Sequence, residues 1–196
     1  MKNYRFYFFL IAMLLATSAC TTKQKNDDVP AQSIKVGPHE WTTHNLDVGK
    51  FRNGEAIPEV KSNQAWEKAW KNEEPAWCYY ENDAGNGQKM GRLYNWFALN
   101  DPRGLAPQGW HIPNREEWKH LAEHANDNIS YFTSQFGGFR HVAGNFRLFD
   151  YVGYWWTANE TNAKITAYQV QLDDKEKLEE ANAGKGTGFS IRLVRD

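Results

Sequence analysis

The sequence predicts an α+β fold with two main helices and short antiparallel strands. Two observations predict the helices: an apolar stripe begins after Ser62, and Asn114 with Glu117 has the spacing of a helix-capping box. A third predicts the strands, because the chain beyond Asn128 consists of short apolar segments separated by glycines. Helices followed by strands are typical of the α+β class. Because the chain has 196 residues, we expect it to form one domain with a single hydrophobic core.

The first twenty residues have the pattern of a lipoprotein signal peptide. Lys2 and Arg5 precede the uncharged run Phe6 to Ala16, and small residues stand directly before Cys20. The run is shorter than the roughly 20 residues needed to span a bilayer. We therefore expect cleavage after residue 19 and lipidation of Cys20. The alternative is an ordinary cleaved signal peptide with a chance cysteine.

This interpretation divides the chain into three parts: a signal peptide over 1–19, a polar and flexible lipid-anchored tether over 20–33, and a folded domain over 34–196. We expect an extracytoplasmic protein held at a membrane by its anchor, in the outer membrane or at the cell surface. Lipidation of Cys20 leaves Cys78 without a disulfide partner, so aromatic packing must stabilise the domain. The net charge of −1 and the lack of a basic stripe argue against a nucleic-acid partner.

The first helix is predicted by spacing. Ser62 or Asn63 can cap it, Trp66 and Trp70 lie on one stripe, and Pro75 ends it. The next predicted elements are a strand over 76–80, a loop over 82–87 and a second extended segment over 93–99.

The second helix follows a short buried segment, Trp110 to Ile112. Pro113 closes that segment, Asn114 caps the helix, and an amphipathic helix of about three turns is predicted. Its apolar arc comprises Trp118, Leu121, Ala122 and Ala125. Its polar face comprises Lys119, His120, Glu123 and His124.

The strand candidates after Asn128 are the segments 136–140, 145–148, 153–157 and 165–172, followed by a closing strand over 188–196. The charged segment 173–180 reads as a solvated turn or a short charged helix, because it lacks the glycine and ligand spacing of a calcium-binding EF-hand loop.

Spaced motifs along the chain resemble the Fibrobacter succinogenes major paralogous domain. They are Trp41, Asn45-Leu46, Asn53-Gly54, Ile57, Trp66, the run Pro75 to Tyr80, the run Gly91 to Trp96, the run Ala106 to Pro113, Glu117-Trp118, the run Gly137 to Arg140, Trp155-Trp156 and the run Ser190 to Arg192. The resemblance covers about residues 34–196. It implies an exported lipoprotein of the Bacteroidetes type, and it implies no established reaction.

A more distant similarity is to the formylglycine-generating enzyme and C-type-lectin-like superfamily. It rests on the proline-capped helix start from Pro113 to Trp118 and on the closing segment from Gly188 to Arg192. It implies a compact, irregular α+β domain. Formylglycine-type oxidation needs a pair of reactive cysteines, so we expect no such activity here.

One motif and one cysteine are candidates for reactive sites. The run His120 to His124 fits the His-x-x-Glu-His signature of inverted zinc peptidases. Its histidines lie on the polar helix face, so we interpret them as solvated side chains rather than zinc ligands. The aromatic neighbours of Cys78 favour a buried, inert thiol. We therefore expect no cofactor, no metal and no catalytic residue.

The aromatic residues carry the binding hypothesis. Successive side chains of a strand point to opposite faces, so Trp155 with Trp156, and Tyr79 with Tyr80, each place one ring away from the other. One interpretation is that both sheet faces are covered. The other is a partly exposed aromatic platform, with Arg140 or Asn159 at its edge, that binds a sugar or a peptide.

Together these features predict a non-catalytic surface module that binds a glycan or an envelope or peptide ligand. Two alternatives stay open: a hydrolase acting on envelope or dietary polymers, and a structural subunit of a surface assembly. Convergent Asp, Glu or His residues with shifted pKa values would favour the hydrolase. A large exposed apolar patch would favour the structural subunit.

Overall fold

The computed structural model describes residues 32–173 and 175–196. Within these ranges the chain forms the following helices and strands, in order: β1 (Ser33–Val36), β2 (His39–Thr42), α1 (Asn63–Lys71), β3 (Trp77–Cys78), α2 (Ala84–Met90), β4 (Leu93–Tyr94), α3 (Trp96–Leu99), β5 (Trp110–His111), α4 (Arg115–His124), α5 (Ser130–Thr133), β6 (Phe139–Arg140), β7 (Phe146–Arg147), β8 (Gly153–Glu160), β9 (Thr166–Leu172), β10 (Leu178–Gly184) and β11 (Val194–Arg195). Two short 3-10 helices cover Tyr80–Asn82 and Asn126–Ile129. The protein is therefore mixed α+β, as the sequence predicts.

The two ends of the domain meet in one antiparallel sheet with strand order β1-β2-β11-β5. Val194 of β11 pairs with Trp41 of β2 on one side and with His111 of β5 on the other. The C-terminal strand thus lies between an N-terminal strand and the strand that precedes α4. This pairing brings together residues that are far apart in the sequence.

A second antiparallel sheet, of order β10-β9-β8, crosses the middle of the core. Trp155 and Trp156 of β8 belong to two different hydrophobic clusters. Trp155 packs with Trp118 and Phe132, whereas Trp156 packs with Trp96 and Phe189. Their opposite orientation follows the period of two in a strand, and both faces of β8 are covered.

The two main helices begin where the sequence predicts. Ser62 caps α1 by accepting a hydrogen bond from the backbone of Ala65. At α4 the capping box is complete: the side chain of Asn114 accepts from the backbone of Glu117, and the carboxylate of Glu117 accepts from the backbone of Asn114. Trp118 and Leu121 of α4 are buried. Ala125 at the helix end is buried as well, so the predicted arc packs against the core except for Ala122, which is exposed.

Two segments predicted as loop or extended contain helices. The prediction of a loop over 82–87 is wrong from residue 84 onward, because Asp83 caps α2 through a 2.8 Å hydrogen bond from the backbone of Gly85. Gly87 lies inside this helix, and a Cβ there would overlap the ring of Tyr79. The segment 93–99 is extended only over β4, since Asn95 caps the short helix α3. In both cases a side-chain cap outweighs the composition.

The prediction of a turn or helix over 173–180 is wrong for its second part, which belongs to β10. This strand pairs residue by residue with β9 from Leu178 to Gly184. It is an exposed edge strand with few apolar residues, so it lacks the alternation that identifies buried strands.

The closing segment 188–196 is less regular than predicted. Only Val194–Arg195 forms a ladder strand, while Gly188, Phe189 and Ser190 make isolated bridges to Arg140, Tyr94 and Trp155. Arg192 in this segment is fully buried. The segment therefore ties the separate sheets together. Among the residues described, none forms a helix with the length and apolar character to cross a membrane.

Candidate functional site

The two predicted platform residues of β8 lie inside the core. Trp155 and Trp156 both have an exposed fraction of 0%. The indole nitrogen of Trp156 donates to the carbonyl of Tyr94 at 2.9 Å, and that of Trp155 donates to Asn45 at 2.8 Å. Both rings therefore lack any surface for a ligand in this structure. Both faces of β8 are covered at this tryptophan pair, so the prediction of an exposed aromatic platform is wrong for these two residues.

The two polar residues assigned to the platform edge bind backbone instead. Arg140 is fully buried, and its guanidinium donates to the carbonyls of Val60, Lys61 and Gly144. Asn159 accepts a 2.9 Å hydrogen bond from the backbone of Arg115, at the start of α4. These contacts hold loops and a helix end in place.

The tyrosine pair is also engaged. Tyr80 is buried between Phe146 and Phe149. Tyr79 is half-buried, and its hydroxyl accepts a 3.1 Å hydrogen bond from Arg92. The residues predicted from aromatic pairing are thus distributed through the core and do not share an exposed surface. Cys20 lies outside the described residues.

The structure instead brings together three histidines and two carboxylates at the sheet formed by the chain ends. His39 comes from β2, His111 from β5, Glu117 and His120 from α4, and Asp196 follows β11. Strand β11 between β2 and β5 fixes the spacing of the strand residues, and the capping box fixes Glu117 against them. We call these five residues the histidine–carboxylate cluster.

His111 is the centre of this cluster. Its Nε2 lies 2.8 Å from Oε1 of Glu117, and its Nδ1 lies 2.8 Å from Oδ1 of Asp196. Partial burial lowers the pKa of His111, but the hydrogen bonds to Glu117 and Asp196 outweigh this effect and raise it above its ordinary value. An imidazole with a carboxylate at each nitrogen satisfies both when it is protonated and donates from both.

His39 and His120 form the second part of the cluster. Nε2 of His39 lies 3.2 Å from Nδ1 of His120. The rings are tilted by only 18° with centroids 5.4 Å apart, so the contact joins their nitrogen-bearing edges. Nδ1 of His39 lies 4.0 Å from Oε1 of Glu117. One proton between the two imidazoles makes one ring the donor and the other the acceptor.

The two histidines of the peptidase-like motif do not act as a pair. His120 faces His39, whereas Nδ1 of His124 lies 2.8 Å from the carbonyl of His120. Across residues 32–173 and 175–196, no group of three or more His, Cys, Asp or Glu residues is arranged to hold a metal ion.

A shallow groove of about 430 Å³ opens beside His39. Its lining is polar and carries both charges, and it consists of Lys35, Pro38, His39, Glu40, Arg195 and Asp196. Arg195 donates to both oxygens of Glu40, at 3.2 and 3.0 Å. Hydrogen bonds from Ser33 and Arg195 lower the pKa of Glu40, so this carboxylate is ionised at neutral pH.

The acid–base atoms of the cluster are mostly committed to one another. Both nitrogens of His111 face carboxylates, and the second oxygen of Glu117 accepts from the backbone of Asn114. The thiol of Cys78 lies in a different part of the core, and burial raises its pKa to about 12. The arrangement is suited to hydrogen bonding and charge recognition in the groove.

Sequence reasoning missed this cluster because its members stand at positions 39, 111, 117, 120 and 196. Glu117 was predicted as a capping residue and His120 as a solvated side chain, and no local pattern links them to His39 or Asp196. No sequence pattern indicates that β11 lies between β2 and β5, and this pairing is what brings the cluster together.

The family model described as the Fibrobacter succinogenes major domain matches residues 34–131. The chain belongs to this family. The matched part of the Fibrobacter succinogenes major domain contains four members of the cluster, and Asp196 lies beyond it. No curated protein and no solved structure matches the chain.

Proposed function

We propose that the protein is an exported, lipid-anchored binding module whose ligand is a glycan or an envelope peptide. The proposal includes a signal peptide over 1–19, acylation of Cys20, a tether over 20–33 and a location at the outer membrane or the cell surface. The sequence pattern around Cys20 and membership of the family support it.

We further propose that the domain is a compact C-type-lectin-like or formylglycine-generating-enzyme-like variant of the α+β class. Two features support this assignment. Helix α4 starts directly after Pro113 and Asn114, and the closing segment from Gly188 to Arg192 binds the core through backbone bridges and the buried Arg192.

One observation carries the assignment of binding rather than catalysis. Among the described titratable groups, His111 is hydrogen-bonded to both Glu117 and Asp196. The adjacent groove presents Lys35 and Arg195 to solvent. A preformed polar groove next to a fixed charge cluster can orient hydroxyl, amide or charged groups of a ligand. This surface replaces the aromatic platform as the proposed ligand contact.

The anchor and the ligand site can be tested separately. For the anchor, the host is grown with labelled palmitate, and incorporation into the wild type is compared with Cys20→Ser. We expect label only in the wild type, and an unlabelled wild type contradicts acylation. Detergent-purified full-length protein is then screened against neutral and acidic glycans, cell-wall fragments and envelope peptides.

Arg195→Gln and Lys35→Gln are screened beside the wild type, with Lys71→Gln on the exposed face of α1 as the matched control. Binding that is weakened by the two groove variants and retained by the control supports the proposal. No binding to any member of the panel contradicts it.

A hydrolase is the second candidate, and the convergence of His111, Glu117 and Asp196 with a raised histidine pKa favours it. The same protein is incubated with envelope and plant polymers, and released ends are quantified. Release by the wild type and loss of release in His111→Gln would assign catalysis to the cluster. Equal background in both proteins supports the binding module.

A further inference from the structure

The segment between β7 and β8, residues 148–152, displays two large apolar side chains. Four large hydrophobic side chains are exposed in the described part of the chain, and two of them are Leu148 and Tyr151, with exposed fractions of 44% and 73%. The backbone nitrogen of Tyr151 donates to the carbonyl of Leu148 at 3.3 Å, which closes a turn. Both side chains therefore belong to one exposed turn. We call residues 148–152 the β7–β8 loop.

The backbone of this loop is held in an unfavourable conformation. Leu148 and Asp150 each have a φ of 61°, in the left-handed region that a leucine rarely adopts. The core fixes the base of the loop, since the backbone of Asp150 donates to the carbonyl of Phe136 at 2.9 Å. The ring of Phe149 packs against that of Tyr80, with centroids 4.6 Å apart. Because strained and fixed loops are concentrated at binding sites, we interpret the exposed side chains as a preformed contact surface.

Two opposite charges stand beside the apolar side chains. Arg147, the last residue of β7, and Asp150 are both exposed. Within the described ranges, neither of these side chains makes a hydrogen bond or an ion pair. Their charges cancel, so this surface has no net charge. A zwitterionic phospholipid headgroup carries one phosphate and one ammonium group, and it offers a partner to each of the two side chains.

The loop lies close to the point where the described chain begins. Gln32, the first described residue, accepts a 3.1 Å hydrogen bond from the backbone of Thr43. Two residues later, the backbone of Asn45 donates to the side chain of Gln135 at 2.6 Å, and the next residue after Gln135 accepts from Asp150. Residues 20–31 span at most about 40 Å, even when fully extended. An acyl anchor at residue 20 therefore keeps the loop within reach of the bilayer.

The size of the surface favours a lipid over a protein partner. A stable protein interface buries about 800 Å² on each partner, and two side chains of one turn supply only a fraction of that area. A bilayer interface is fluid, so it needs no complementary shape. Tyrosine is enriched at the headgroup level of membranes, where its ring is in an apolar environment and its hydroxyl in a polar one.

We propose that the β7–β8 loop enters the interface of the bilayer that holds the acyl anchor, and so orients the domain on the membrane. Leu148 reaches the upper acyl chains, and Tyr151 lies at the headgroup level. Arg147 contacts a phosphate, and Asp150 contacts an ammonium group. The inference rests on the lipid anchor of the proposed function and adds a second membrane contact to it.

The test places a fluorophore in the loop. Full-length acylated protein with Tyr151→Cys is labelled with an environment-sensitive dye and reconstituted into vesicles of phosphatidylethanolamine and phosphatidylcholine. Acylation blocks Cys20 and burial protects Cys78, so the dye enters at position 151 alone. We expect its emission to shift to the blue and to be quenched by nitroxide-labelled lipids. Ile165→Cys is the matched control, since Ile165 is 63% exposed and lies outside the loop, and its dye should keep an aqueous emission.

A second substitution in the labelled protein locates the contact. Leu148→Ala should lower the ratio of quenched to unquenched dye about tenfold, because it removes most of the apolar surface that the leucine contributes. Ile165→Ala should leave this ratio unchanged. Since the surface has no net charge, added salt and added phosphatidylglycerol should also leave it unchanged. Circular dichroism confirms that each variant is folded.

Three results would overturn the inference. Aqueous, unquenched emission from position 151 in the acylated protein removes the membrane contact. Equal quenching at positions 151 and 165 shows that the loop has no special role. A blue shift in concentrated Cys20→Ser protein without vesicles, with dimers in analytical ultracentrifugation, makes a second copy the occupant of the loop. Labelled palmitate reports on acylation independently, so failure of the anchor is distinguished from failure of the loop contact.

Discussion

The indole nitrogen of Trp155 donates to Oδ1 of Asn45 at 2.8 Å, and Nε of Arg192 donates to the same oxygen, also at 2.8 Å. The amide nitrogen of Asn45 donates to the carbonyls of Met90 and Gln135. One buried asparagine thus joins the central sheet, the closing segment, the end of α2 and the segment after α5. Burial lowers the pKa of Arg192 to about 9, which is still above neutral, so the side chain stays charged. Its guanidinium donates to neutral oxygens of Asn45, Thr42 and Tyr131.

Replacing Asn45 by Ala should strongly destabilise the fold. It removes the acceptor shared by two buried donors, although Arg192 keeps its bonds to the carbonyls of Thr42 and Tyr131. Each buried polar group left unsatisfied costs about 1–3 kcal/mol. Urea unfolding followed by fluorescence gives the change in the free energy of unfolding. The matched control is Asn53→Ala, an exposed asparagine whose side chain, within the described part of the chain, bonds only Glu55, and for it we expect a loss of less than about 0.5 kcal/mol. Similar losses in both variants would contradict the central role of Asn45.

Trp155→Ala and Trp156→Ala should act through stability. Truncation of a buried Trp costs about 3–5 kcal/mol because it leaves a cavity. Thermal and urea unfolding should show this loss in both variants. Tyr151→Ala is the control, since its side chain is 73% exposed, and it should leave stability nearly unchanged. A folded Trp156→Ala protein of wild-type stability with reduced ligand affinity would restore the platform hypothesis.

The tryptophan pair illustrates what the sequence can predict. The opposite orientation of Trp155 and Trp156 follows from strand geometry, but the number of faces covered depends on long-range packing. The capping box of α4 is also local, and it was predicted to the residue. Helix α2 was missed because its glycines resemble a loop, although Asp83 provides a cap. Strand β10 was missed because an exposed edge strand needs no apolar alternation.

The candidate site was beyond local prediction for a related reason. His39 and His120 are separated by 81 positions, and Asp196 joins them only because β11 lies between β2 and β5. Strand pairing of this kind is determined by the whole core. The sequence contains these polar and charged residues, but no local pattern in it predicts that they meet in one groove.

Gly138→Ala should destabilise the protein more than Gly109→Ala. Both glycines have positive φ, at 58° and 82°, so both substitutions introduce backbone strain. A Cβ at Gly138 would overlap the carbonyl oxygen of Arg147 and lie 2.8 Å from the nitrogen of Phe149, whereas a Cβ at Gly109 meets nothing within 4 Å. Overpacking against backbone adds about 1–3 kcal/mol. The difference between the two unfolding free energies measures the cost of this overlap, and equal values would show that the backbone at the end of β7 relaxes freely.

Cys78 should be unreactive in the folded protein. Its side chain is fully buried, and burial raises its pKa to about 12, so almost no thiolate forms at neutral pH. Ellman's reagent at pH 8 should label Cys78 only as fast as the domain unfolds, and labelling should become rapid in denaturing urea. Cys20→Ser is used as the background, so that Cys78 is the sole thiol of the chain. Rapid native labelling at a rate independent of stability would contradict the buried position.

The pH dependence of stability should report the histidine–carboxylate cluster. Burial lowers the pKa of His111, but Glu117 and Asp196 raise it to a net value above that of the unfolded chain. Its stabilising contribution is therefore complete below about pH 6.5, the unfolded value, and is lost as the pH rises through the higher folded value. Urea unfolding from pH 5.5 to 8.5 should show wild-type stability declining relative to His111→Gln across this upper window. His141→Gln, with its exposed histidine in the β6–β7 turn, should keep the wild-type slope. A difference between wild type and His111→Gln that is constant with pH would show that His111 is neutral in the fold, and that Glu117 and Asp196 contact it without sharing a charge.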